Sequence, residues 1–180
     1  MSSVSEGFFA IEHDIVMEIL GNYGLNTACH FITQCSGRSG LGKKTSWSKH
    51  AVHRYAGLSV RAAIKTEANL IEGEYLIKTR GGKHPRFTLA DSQADTIAWI
   101  PHSFVTGTLA EECSPLKLIR QTSSDDTLRL MLDLYWRQDI VNEGGFNFIY
   151  RRFERSQKIA ELGAFSIYAF DKTTQLIAEE

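Results

Sequence analysis

The stretch from Thr45 to Leu89, TSWSKHAVHRYAGLSVRAAIKTEANLIEGEYLIKTRGGKHPRFTL, decides how the rest of the chain is read. Thr45, Ser46 and Ser48 are candidate N-caps, each offering a side-chain oxygen to the unpaired amides of a helix start, and they predict a helix reaching Tyr55. Ala56-Gly57-Leu58 interrupts it, with Gly57 suited to the left-handed backbone of a helix end. Ser59 then caps a second helix running to about Glu72. Two helices joined by a short glycine-bearing turn form a helix-turn-helix pattern.

Helical spacing puts Val60, Ala63, Ile64, Ala68, Leu70 and Ile71 on one broad apolar arc, with Arg61, Lys65 and Asn69 recurring every four residues on the polar side. Such a row is most simply a solvated face. It also suits base recognition, because Arg and Asn bond bidentately to guanine and adenine edges in a major groove and Lys reaches guanine or a phosphate. Glu67 falls inside the apolar arc, with Arg54 as a candidate partner. Downstream, Tyr75–Thr79 and Arg86–Leu89 have strand-type residues, and Gly81-Gly82 between them favours a hairpin tip. Lys78, Arg80, Lys83 and Arg86 suit that hairpin to a phosphate backbone.

This segment resembles the winged helix-turn-helix domains of prokaryotic DNA-binding proteins. Gly57-Leu58-Ser59 matches the turn, and Leu70 with Tyr75-Leu76-Ile77 matches the helix end and first wing strand. Family members often carry Gly between recognition helix and wing, whereas this chain has Gly73 followed by Glu74. The resemblance implies an α+β fold, mainly helical, with a β-hairpin wing. It implies sequence-specific binding of double-stranded DNA, in a transcriptional regulator or a replication or mobile-element accessory protein. Residues Ser59 to Asn69 would enter the major groove, with Val60, Arg61, Lys65 and Asn69 facing bases. Ser46, Lys49 and the wing cations Arg80, Lys83 and Arg86 would hold phosphates. Lys83→Ala is then expected to weaken binding to all sequences alike.

Charge is distributed in keeping with that reading. The whole chain carries a formal −1. Ser36 to Ala90 nevertheless holds 11 Lys and Arg (Arg38, Lys43, Lys44, Lys49, Arg54, Arg61, Lys65, Lys78, Arg80, Lys83, Arg86) against Glu67, Glu72 and Glu74, a local +8 that leaves −9 elsewhere. A basic segment coincident with a helix-turn-helix on an acidic body is the electrostatic footprint of a local DNA-binding surface.

At 180 residues and 43% apolar composition, the chain can bury a sizeable core in one large or two small domains. The expected division is 1–90, the winged domain with its N-terminal helices, and 98–180, with Asp91 to Thr96 as a polar linker. No apolar run approaches the roughly 18 residues of a membrane span, and Met1 to Gly7 lacks the pattern of a signal peptide. Three cysteines, Cys29, Cys35 and Cys113, make no disulfide framework in a chain this long. A soluble cytoplasmic protein is expected.

Phe8, Ile11, Ile15 and Ile19, with Phe9, Val16 and Leu20, fall at helical spacings over Phe8–Asn22, as core or as a dimer seam. A homodimer through this helix or through the C-terminal region is a further expectation. Leu25 to Cys35 is the first helix of the winged domain, with His30 an ordinary polar position. Ser36 to Lys44, SGRSGLGKK, nearly writes a phosphate-binding loop, but Lys44 stands where a Ser or Thr should hold magnesium. A flexible basic loop whose Arg38, Lys43 and Lys44 contact phosphates is the better reading. Cys29, Cys35, His50 and His53 depart from zinc-finger spacing, and Ser39 lacks the second glycine of a nucleophile elbow. No metal, cofactor or enzymatic activity is expected.

Beyond Ala98-Trp99-Ile100-Pro101, Ser114-Pro115 starts one helix and Ser124 or Asp125 another. Phe146 to Phe153 is aromatic and basic, with Arg151 and Arg152, and Ala164 to Phe170 alternates like a strand. This half reads as a second, divergent winged-helix unit or as a dimerisation or partner-binding module. A protein-interaction module on a winged scaffold is the rival to DNA binding for the whole chain.

Overall fold

Alternation, not helical spacing, governs residues 8–12. In the computed structural model β1 (Phe8–Glu12) buries Phe9 and Ile11 and leaves Phe8 outside, and only at His13 does α1 (His13–Tyr23) begin. Spacings of two and of three to four residues coincide over so short a run, so the expected helix over Phe8–Asn22 starts late. The strand forms because β5 (Ile97–Pro101) pairs with it antiparallel, Phe9 opposite Ile100 and Ile11 opposite Ala98. The structure describes residues 7–38, 43–80, 85–90, 96–108 and 113–138, and the backbone of 158–162 and 165–168.

Helix α2 (Leu25–Ser36) is the central element, buried along almost its whole length. Packed on it are α1, whose Ile15, Val16, Ile19 and Leu20 face the interior, and then α3 (Lys49–Ala56) and α4 (Val60–Glu72). The apolar side of α1 is therefore core and not an exposed dimer seam. Gly57 ends α3 at φ +69, and Ser59 Oγ accepts from the Ala62 amide at 3.1 Å to start α4, so the helix-turn-helix boundaries read from the sequence hold.

β3 (Leu76–Arg80) and β4 (Arg86–Leu89) form an antiparallel hairpin joined on the β4 side by the short strand β2 (Lys44–Thr45), giving the order β2-β4-β3. Thr45 thus belongs to a strand and not to a helix cap. Phe87, wholly buried at the centre of this sheet, stands opposite Thr45 and Lys78.

The helix-to-hairpin turn explains the Gly73-Glu74 pair. Gly73 has an ordinary φ of −79, but a Cβ there would meet the Tyr75 ring at 2.4 Å; the left-handed backbone falls on Glu74, at φ 61. Glycine serves space at one position while a strained L-residue makes the turn at the next. Glu74→Gly is accordingly expected to stabilise the fold by about 1 kcal/mol, read from the urea midpoint; a lower midpoint would count against strain at that residue.

Past the hairpin, α5 (Ser103–Thr106), α6 (Pro115–Thr122) and α7 (Asp125–Trp136) belong to the same compact unit, which runs to Trp136. Ser114 Oγ donates to the Tyr55 carbonyl at 3.0 Å, holding the start of α6 against α3, and α7 packs on β5 and α1. The chain divides at 136/137 and not between 90 and 98, because β1 needs β5 and the core needs α6 and α7. Residues 137–180 form a second unit containing the hairpin of β6 (Lys158–Leu162) and β7 (Phe165–Tyr168). The two helices and the strands expected to make one C-terminal region are thus shared between units. Phe146 to Phe153, with Arg151 and Arg152, lies outside the described residues.

Candidate nucleic-acid interface

Helix α4 is oriented by what holds its inner side. Ala63, Thr66 and Leu70 are buried, and Thr66 Oγ1 lies 2.7 Å from Nδ1 of the fully buried His30 on α2. His30 Nε2 is 3.2 Å from the Gln34 side-chain nitrogen, which donates also to the Trp47 carbonyl at 3.0 Å, while Gln34 Oε1 accepts from Thr45 Oγ1 at 3.2 Å. An accepting Nε2 makes Nδ1 the protonated nitrogen, which donates to Thr66; Thr66 in turn donates to the Ala62 and Ala63 carbonyls. Burial pushes His30 down to about 4, which keeps it neutral. What the sequence offers as an ordinary polar position is the hub that joins α2, β2 and α4.

The outward side of α4 differs from the expected one. Arg61 and Lys65 are exposed, as read from the sequence. Asn69 is not aligned with them: half-buried, it donates to Thr27 Oγ1 at 3.3 Å and so faces α2. Ile64, Ala68 and Ile71, expected inside, are exposed, the isoleucines by 51% and 38%. The helix presents more apolar residues than α2 can cover, and the small side chains Ala63 and Thr66 make the close contact. Glu67 is paired with Lys78 Nζ at 2.7 Å and not with Arg54, and the ammonium also sits over the Phe87 ring. Lys78 therefore fastens the hairpin to α4 instead of reaching outward.

The remaining cations divide similarly. Arg80 and Arg86 are exposed and stand opposite one another across the hairpin. Like charges in that position repel unless an anion lies between them. Among the described residues none of Arg61, Lys65, Arg80 and Arg86 has an ion-pair partner. Lys43, Lys44 and Ser46 are exposed around β2, Lys49 is half-exposed at the start of α3, Ser59 caps α4 and Val60 is half-buried. Lys83 lies outside the described residues, as do 39–42 of the basic loop. Arg38 does not reach for phosphate: it is half-buried, with Nη2 donating to the Ala10 carbonyl.

Phe31–Cys35 is helical, where a phosphate-binding loop would need a preceding strand. Cys29 and Cys35 are buried and pushed up to about 12 and about 11 by desolvation, far from the thiolate a metal needs. Among the described residues no three His, Cys, Asp or Glu side chains converge on a metal position, and no helix is long and apolar enough to cross a membrane.

Fold and site together define an α+β protein of helices and small antiparallel sheets, compatible with a winged helix, with a mixed cationic and aliphatic helix face and a cationic hairpin. Comparison with protein families, curated proteins and solved structures finds no match.

Proposed function

We propose that this chain binds duplex DNA sequence-specifically as a winged helix-turn-helix protein, seating α4 in the major groove with the β3–β4 hairpin against a flanking phosphate backbone. The observation that carries this reading is a set of exposed cations without ion-pair partners among the described residues: Arg61 and Lys65 on α4, and Arg80 opposite Arg86 on the hairpin. The order α2, β2, α3, α4, β3, β4 and the sheet order β2-β4-β3 support it, since they present a turn-linked helix and a hairpin in succession. A regulatory, replication or mobile-element role accords with such binding.

Gel shifts on random and selected duplexes at two salt concentrations test the proposal. With about four phosphates neutralised, affinity for any duplex falls about a hundredfold between roughly 50 and 200 mM salt. Arg61→Ala is expected to lose about 1–3 kcal/mol of discrimination at one base pair, whereas Arg86→Ala weakens all sequences alike. Equal losses from both variants on both duplexes would refute that division. One observation favours a second reading, a protein-interaction module: the isoleucines on α4 are exposed. That reading expects salt-insensitive, negligible duplex binding.

A further inference from the structure

Resting on the duplex reading, we infer that α4 recognises thymine methyl groups through Ile64 and Ile71. The exposed side of α4 is divided along its length: Ile64 and Ile71 follow one margin, Arg61 and Lys65 the other, which ends on the exposed Glu72 in the last turn, and Ala68 lies between. Of the groups a base pair shows in the major groove, the thymine C5-methyl is the apolar one. A branched aliphatic chain on a groove-facing helix therefore has one kind of base edge to pack against. Ala68, small and central, lets the backbone approach the groove floor.

Charge selects DNA over an apolar protein surface as the occupant of this face. Arg61 and Lys65 share it, and the hairpin that Lys78 ties to Glu67 of this helix carries the exposed Arg80 and Arg86; an uncharged partner would have to desolvate Arg61 and Lys65 without compensation. The geometry also fixes a spacing. Ile64 and Ile71 are two helical turns apart, about 10 Å along the axis, which matches about three base-pair steps. The site should hold two thymines about that far apart, with guanine the suited contact for Arg61 beside them.

The test selects the preferred site of the full chain from a random duplex pool, then resynthesises it with deoxyuridine replacing thymine one position at a time, so that only the methyl is removed. Two positions about three base pairs apart should each weaken binding about fourfold, the worth of one buried carbon. Ile64→Ala should make thymine and deoxyuridine equivalent at one of them and Ile71→Ala at the other; both side chains are exposed, so the variants fold. Retained sequence-specific binding with deoxyuridine tolerated everywhere overturns the methyl inference and leaves the duplex reading intact. Absence of duplex binding overturns both. If sedimentation shows that Ile64→Ala dissociates a dimer while base discrimination is unchanged, the stripe serves a second copy and the inference fails.

Discussion

Truncating Phe87 to alanine is expected to cost about 3–5 kcal/mol, enough to remove much of the stability of a domain this size. Its ring is fully buried on the central strand of β2-β4-β3, directly opposite Thr45 and Lys78. Removing the ring leaves a cavity under the hairpin and takes away the surface over which the Lys78 ammonium lies. The adjacent strand supplies the control: Ile77 is 56% exposed, so Ile77→Ala should change stability by no more than about 0.5 kcal/mol. Urea unfolding of both variants decides the matter, and equal losses would mean that the hairpin does not pack through Phe87.

Acid should weaken the fold through His30. Protonation makes both ring nitrogens donors, and Nε2 would then point its hydrogen at the donating Gln34 amide. Because burial holds the folded-state value at about 4, below that of the unfolded chain, the unfolded chain takes up the proton first. The stabilisation is complete above about pH 6.5 and is lost as the pH falls towards 4, a total of about 3 kcal/mol. His102, lowered by burial to a lesser degree, acts in the same sense. His30→Gln, which cannot charge, should be less stable at neutral pH yet flatten most of this slope. An NMR titration of the His30 ring with a midpoint near 6.5 would rule the effect out.

Local chemistry was readable wherever a residue settles its own neighbourhood. Gly57 and Ser59 placed the turn and the cap, and the residue types around Gly81 placed both hairpin strands, because these choices depend on backbone preference alone. Pairings between distant segments were not readable. β1 looks helical until β5 is set beside it, and the 91–96 stretch looks like a boundary until that same pairing spans it. Rotation of α4 was the costliest omission for the site. Its sequence offers Ile64 and Ile71 as core and Asn69 as a reading residue; only the bonds from His30 to Thr66 and from Asn69 to Thr27 show which way the helix is turned.

That turning has an evolutionary corollary. Thr27 and His30 are sealed from solvent on α2, yet between them they set the angular aim of every side chain on the far side of α4. A change at either would re-aim that array with no visible residue replaced, so the character of this surface can drift through positions that lie behind it.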